Sequence, residues 1–307
     1  MTTSSFERDR PASQVTVVIP SYNCGALVCT AIESVLAQTL QPVDILVVDD
    51  GSTDGTAEVL ELFIKKGQIR YIYQNNRGLP GARNVGIVES RSRYLAFLDA
   101  DDSLSPDALA VMFRALEESG AAWCVSDILK IRATGHAVER SEIPIENPLL
   151  AVLREDFIRR AMFFRRECLI EVGMYDDKMK NREDWDINIR MIECGQLFAY
   201  VARPLYRYTW RANSITTKPS LKLLQFTESL MRKHHKRLAD AGDRRVAKIY
   251  AHNLWALARQ YLYDSGDLKA ALRCIKESVV YDPDARRIVH PLLHHVRRVA
   301  RRVYAAH

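Results

Sequence analysis

An alternation of short apolar runs and helix-period segments from residue 15 to residue 127 constrains this chain most. Val15–Pro20, Ile45–Asp49, Ile69–Tyr73, Tyr94–Leu98 and Trp123–Ser126 have the length and β-branched content of buried strands. Between them Leu27–Gln38, Ala57–Lys66, Pro80–Ser90 and Pro106–Ser119 have helical period. Pro80 and Pro106 suit first-turn positions, where a missing N–H costs nothing. Such alternation predicts an α/β domain with a Rossmann-like, mixed but mostly parallel sheet flanked by helices. In sheets of this kind ligands bind at the carboxyl ends of the strands. Chemistry should therefore follow the strands directly, and polar clusters stand there. The first strand ends in Pro20-Ser21-Tyr22-Asn23, Val47–Val48 runs into Asp49-Asp50-Gly51-Ser52, and Phe97–Leu98 runs into Asp99-Ala100-Asp101-Asp102.

Beyond Arg132 the pattern breaks into a loop reaching Pro148, and a mixed region follows to about Thr217. Helical periodicity then dominates in Leu221–Ala241, Arg245–Asp264, Leu268–Tyr281 and Ile288–Tyr304, with breaks at Gly242, Gly266 and Pro283. The expected organisation is a short flexible N-terminus (1–13), an α/β domain (14–217) and an all-helical C-terminal extension (218–307).

Composition narrows the chemistry. Apolar residues make up 48% and charged residues 27% of the 307 residues, which excludes a disordered or low-complexity chain. No run approaches the roughly 20 apolar residues of a spanning helix, and no apolar core follows a basic start, so a cytoplasmic location is expected. Six scattered cysteines without a Cys-x-x-Cys pair speak against structural zinc and a disulfide framework. Only His136 precedes residue 234, which disfavours Ser-His-Asp, Cys-His and His-zinc chemistry and leaves carboxylates as the candidates. After Asp284 there is no acidic residue, and Arg286, Arg287, Arg297, Arg298, Arg301 and Arg302 match the net charge of +6. The rest of the chain is balanced, and no nucleic-acid partner is expected.

Crowded carboxylates repel unless a cation or hydrogen-bond donors satisfy them. Asp99 and Asp101, at i and i+2, would share one side of an extended segment. A hard cation such as Mg²⁺ or Mn²⁺ takes one or two carboxylates and completes its shell with phosphate oxygens and water. The plainer alternative is that Asp102 or Ser105 caps the helix beginning at Pro106 and that Asp54 caps the helix Ala57–Lys66. Capping needs one residue, and the cluster has three acids.

These motifs resemble the opening of inverting glycosyltransferase family 2. So does Asn75-x-Arg77-Gly78-x-x-Gly81-Ala82-Arg83-Asn84-x-Gly86, and so does Glu183-Asp184-Trp185-Asp186 after Gly173-Met174-Tyr175-Asp176. The resemblance covers residues 14–217 and implies the A-type glycosyltransferase fold. It also implies roles for single residues. Pro20 and Tyr22 would border the nucleoside, with Asn23 beside them and Tyr22 stacking on the base. Asp50 would accept the base ring N–H, with Asp49 next to it. Arg83 would face the diphosphate, Asp99 the ribose and Asp101 the metal, Mn²⁺ or Mg²⁺. Asp184 would be the catalytic base, where the plainer reading is a first-turn carboxylate stabilised by the helix dipole. Tyr206-Arg207-Tyr208 and the segment from Arg211 resemble the family's closing part, whose basic residue contacts the diphosphate; Arg207 and Arg211 are both candidates.

The expectation is an inverting, metal-dependent transfer of a sugar from a nucleoside-diphosphate donor, with uridine as the base by family habit. The acceptor would be a glycan or lipid-linked glycan in cell-surface polysaccharide or glycoconjugate synthesis. Without Gln-x-x-Arg-Trp, single or short-chain addition is favoured over processive synthesis. The competing class is a degenerate transferase that binds nucleotide or acts as a scaffold. The helix pair around Asp264-Ser265-Gly266-Asp267 cannot bury both faces alone. It would dock as a packed extension or serve a homodimer through the C-terminal helices. In 286–304 an apolar stripe opposes arginines and histidines. That pattern suits either an ordinary last helix or contact with an anionic membrane surface, giving a peripheral location at the inner face.

Overall fold

The computed structural model describes residues 13–141, 143, 147–158, 161–211 and 220–285. The chain divides into two compact units, Met1–Ile143 with Phe157–Ser214 and Pro144–Asp156 with Ile215–His307.

The first unit is built on one sheet. Strands β1 (Val15–Ser21), β2 (Val43–Asp49), β3 (Arg70–Tyr73) and β4 (Tyr94–Phe97) lie in the order β3-β2-β1-β4, all parallel. They are connected by α1 (Leu27–Leu36), α2 (Thr56–Lys65) and α3 (Leu79–Glu89). Every position of β1 is buried, which explains its continuous apolar run. Val15, Val17 and Ile19 share one core with Val28, Ile32 and Val35 of α1 and with Leu109 and Met112 of α4 (Ala108–Ser119). On the other face α3 approaches so closely that a Cβ on Gly86 would stand 2.3 Å from Val18 Cγ1. Only glycine fits there.

Beyond β4 the sheet becomes mixed. Two-residue β5 (Ser103–Leu104) forms the far edge; inward lie β9 (Phe198–Thr209), β6 (Trp123–Arg132) and β8 (Ala161–Arg165), which pairs antiparallel with β4. The β6–β9 pairing is parallel, with register shifts around Asp127 that accommodate Pro204 opposite it. This is the mixed sheet flanked by helices that the sequence predicts. The loop expected from Arg132 is different: β6 runs to Arg132, turns at Ala133-Thr134 and returns as β7 (Gly135–Glu139). β7 lies almost wholly exposed, so it carries no apolar alternation to announce it. Two further helices complete this unit, α6 (Arg166–Glu171) and α7 (Glu183–Glu193).

The second unit is helical. α8 (Leu221–Met231) continues through a π turn at Arg232–Lys236 into α9 (Arg237–Asp240). α10 (Arg244–Gln260) and α11 (Leu268–Tyr281) follow, and α5 (Pro148–Arg154) packs on α10. The breaks at Gly242 and Gly266 fall where expected. Asp243 caps α10 by accepting from Arg245 N (2.9 Å), and Asp267 caps α11 by accepting from Ala270 N (2.9 Å). Among the described residues no helix is long and apolar enough to cross a membrane. The amphipathic segment 286–304, with its predicted membrane contact, lies outside the described residues.

Candidate functional site

Because β2, β1 and β4 are adjacent and parallel, their carboxyl ends share one edge of the sheet. That edge brings together Pro20, Tyr22, Asn23, Asp49, Asp50, Asp99 and Asp101. Pro20 is buried in β1 and Tyr22 beyond it is 51% exposed. Asn23 has φ 51°, and its Oδ1 accepts from Thr53 N (2.8 Å) while its own N donates to Ser52 Oγ (2.9 Å). It ties the loop after β1 to the turn after β2.

The paired aspartates after β2 do different work. Asp49 is buried and shapes its own turn: Oδ1 accepts from Ser52 N (2.8 Å) and Oδ2 from the Tyr71 hydroxyl (2.7 Å). Asp50 holds the loop that opens α3. Its Oδ1 accepts from Gln74 Nε2 (2.6 Å) and Arg77 N (2.8 Å), and its Oδ2 from Gly78 N (2.7 Å). A carboxylate has about four lone-pair positions, so these bonds leave Oδ2 room for a further donor.

After β4 the chain is turned, not extended. Asp102 N donates to Asp99 O (3.0 Å), which corrects the expectation that Asp99 and Asp101 share a side of an extended segment. Asp99 accepts from Arg83 Nη2 (3.3 Å), whereas Asp101, 41% exposed, accepts from Arg211 Nη1 (3.4 Å). Arg211 Nη2 also donates to Asp101 O (3.2 Å). Asp102 is not a helix cap. Buried, it accepts from the Tyr206 hydroxyl (2.6 Å) and Thr209 N (2.8 Å), anchoring the turn to β9, while α4 begins only at Ala108 with no side-chain cap. Tyr206 and Arg207 are successive residues of a strand and point to opposite sides. Arg211 is thus the basic candidate brought onto Asp101.

Arg83 is enclosed by acidic and aromatic side chains. Its guanidinium is buried on α3, where Nη1 donates to Asp184 Oδ1 (2.5 Å) and lies 3.6 Å from Glu183 Oε1. It is flanked by the rings of Tyr175 (5.2 Å to the centroid) and Phe97 (5.8 Å). One arginine therefore binds the Asp99 turn to the first turn of α7, where Asp184 remains 35% exposed. Burial works against its charge, but Asp184, Tyr175, Asp99 and Glu183 outweigh that and hold its pKa well above the ordinary arginine value. Glu183 experiences the reverse. Burial, reinforced by the neighbouring Asp184, pushes its pKa up to about 7 against the pull of Arg83. Asp184 does occupy a helix first turn, as the plainer reading holds, and it also meets the buried arginine.

Sequence reasoning assigned no role to Glu183, Tyr175 or Tyr206, although all three stand inside the quoted motifs. Spacing alone could not show that residues roughly 100 positions apart meet. Among the described residues no three His, Cys, Asp or Glu side chains converge as a metal cage.

Comparison with known proteins follows the same lines. The profile described as Glycosyl transferase family 2 matches residues 16–174. The succinoglycan biosynthesis protein ExoO of Rhizobium meliloti is 31% identical over 217 residues, covering 66% of this chain and 62% of that protein. Chondroitin synthase of Escherichia coli is 28% identical over 210 residues, 66% of this chain and 30% of that one. An uncharacterized glycosyltransferase of Rickettsia felis is 38% identical over 127 residues, 41% of this chain and 21% of its own. The chain thus spans less than two thirds of these relatives. Among solved structures, S. aureus TarS 1–349 in complex with UDP-GlcNAc superposes with a TM-score of 0.68 at 17% identity, covering 92% of this chain and 87% of that one. The A-type fold expected from the sequence is the fold found, and the chain belongs to glycosyl transferase family 2.

Proposed function

We propose that this chain transfers a sugar from a UDP-sugar to a hydroxyl of a glycan or lipid-linked glycan acceptor, with inversion at the anomeric carbon and with non-processive or short-chain addition. The observation that carries the reading is the Arg83 bridge, which holds the Asp184 carboxylate beside the acidic strand-end edge. At that edge exposed Tyr22 stacks on the base, with Pro20 beneath, and Asp50 Oδ2 accepts a base N–H. Asn23 and Asp49 serve by fixing the two loops. Asp99 meets the ribose, and Arg211, ahead of Arg207, neutralises the diphosphate. Arg83 is then better suited to positioning Asp184 than to contacting phosphate. The UDP-GlcNAc complex of the structurally similar TarS and the polysaccharide-synthesis relatives support this donor and this acceptor class.

Asp101, partly exposed on the turn after β4, fits a divalent cation whose shell phosphate oxygens and water complete. Asp101 would hold Mn²⁺ or Mg²⁺, which supplies charge neutralisation to the leaving diphosphate when bound. The acceptor oxygen attacks the anomeric carbon while the bond to UDP breaks. Its proton passes to Asp184, whose Oδ1 is engaged by Arg83 and whose Oδ2 is left for the hydroxyl. Membrane-surface contact through 286–304 belongs to the same reading, because a lipid-linked acceptor lies at a membrane; pairing of two copies through the helical unit is the alternative to a packed extension.

Melting temperatures with UDP, GDP, dTDP and CDP, with and without Mn²⁺, test the donor assignment. A ligand at about 100 times its Kd adds about 2.7 kcal/mol, several degrees for a domain of this size. We expect a UDP shift that requires Mn²⁺ and is lost in Asp101→Ala. No shift with any nucleotide would favour a scaffold role.

A further inference from the structure

The base candidate Asp184 stands at the start of a helix whose approach is irregular. Between α6 and α7 the segment 172–182 contains no helix or strand, and Gly173, Met174 and Arg182 all have positive φ (84°, 58° and 65°). Sheet pairing therefore does not set where the first turn of α7 lies relative to α3 and the strand-end edge. Side chains must do so.

Three hydrogen bonds that can do this converge on Asn84, next to Arg83 on α3. Asn84 Oδ1 accepts from Tyr175 N (2.9 Å), and Asn84 Nδ2 donates to Tyr175 O (2.8 Å) and to Asp177 Oδ1 (2.9 Å). The amide reads both backbone groups of Tyr175, as a neighbouring strand would, and no other uncharged side chain of that size supplies one acceptor and two donors. Asp177 also receives Arg77 Nη2 (2.7 Å), and the Lys180 ammonium donates to Arg77 O. The backbone so fixed carries the Tyr175 ring, which lies against the Arg83 guanidinium that holds Asp184.

We propose that Asn84 is a positioning residue of the transfer reaction, setting the register of the 175–184 segment against α3 so that Asp184 meets the acceptor hydroxyl. The inference rests on the reading of Asp184 as the base. Asn84 touches neither donor nor acceptor, so its loss should act on turnover and leave nucleotide binding alone. A displacement of about 1 Å at a reacting group lowers rate by about 100-fold.

The test is kinetic and uses the full chain. Asn84→Ala should lower kcat by about 10- to 100-fold, with the UDP-sugar KM and the UDP Kd within about twofold of wild type. Asn84→Asp should be worse, because a second carboxylate would face Tyr175 O and Asp177. Adding Asp177→Asn to Asn84→Asp restores a donor opposite the new acceptor and should recover part of the kcat. Amide exchange without substrate should quicken in residues 175–184 of Asn84→Ala and stay unchanged in β1. An unchanged kcat, a donor KM that rises as kcat falls, no recovery in the double variant, or unaltered exchange in 175–184 each overturns the proposal. If the wild-type chain binds no UDP and turns over no UDP-sugar, the reading of function fails instead, and the exchange experiment alone decides the clamp.

Discussion

Both units of this molecule bury acids beside arginines, but in different proportions. In the helical unit Glu228 accepts from Arg273 (2.8 Å), Arg232 (3.0 Å) and the Tyr261 hydroxyl (2.9 Å), while Glu277 takes Arg232 (2.7 Å) and the Tyr250 hydroxyl (2.8 Å). Two carboxylates meet two guanidinium groups and two phenols. Burial pushes the Glu228 pKa up, but Arg273, Tyr261 and Arg232 more than cancel it and leave the group below the ordinary glutamate range. At the strand-end edge, by contrast, Asp99, Glu183 and Asp184 share Arg83. There Glu183 is driven upward. A balanced network stabilises a fold; several acids around one cation make an arrangement that favours a proton or a further cationic partner.

Removing the central cation should separate the two regions most sharply. Arg83→Met leaves three carboxylates without their shared partner and should cost about 3 kcal/mol of unfolding free energy, read from urea midpoints. It should also lower kcat by more than about 100-fold, because Asp184 loses its anchor. A loss below about 1 kcal/mol would mean that the acids near Arg83 are solvated and the contrast is unreal.

Acidity should sharpen the comparison with a smaller effect. Folded Glu183 keeps a proton that the unfolded chain releases above roughly pH 4.3, so its contribution falls as pH rises from there towards about 7. Glu183→Gln removes that slope, and the variant should gain on wild type between pH 5 and pH 7.5. Glu228 has the opposite sign. Its depressed folded pKa makes its contribution complete above the unfolded value and lost as pH falls through the folded one. The deficit of Glu228→Gln should therefore be full at pH 7 and shrink below about pH 4. Urea midpoints across pH would contradict the account if both variants shifted in the same direction. Smallest of all, Arg273→Ala should cost no more than about 1 kcal/mol, because that side chain is 52% exposed and Arg232 still serves Glu228.

Much of this arrangement was legible in the sequence because the parallel half of the sheet obeys local rules. Buried strands read as apolar runs, and parallel order places their ends on one edge, so Asp50 and Asp99 could be assigned to a common region before any contact was known. Local rules fail where the partner is remote. Arg83 lies on Asp184, 101 residues away, while Asn84 grips Tyr175 across 91. Nothing in the spacing of either residue encodes such a distance. The exposed β7 hairpin was missed for a different reason, since a strand facing solvent on both sides has no periodic burial to impose on its composition. In the mixed half Pro204 obscured β9, where the register shift opposite Asp127 absorbs it.

The central claim is that Asp184, held by Arg83, takes the acceptor's proton at a UDP-sugar site. Paired measurement of UDP affinity and UDP-sugar turnover in Asp184→Asn tests it most directly. The account predicts a UDP Kd within about twofold of wild type and a kcat lowered by about 100- to 10,000-fold, the range for loss of a general base. Turnover within about tenfold of wild type, with UDP still bound, would contradict it.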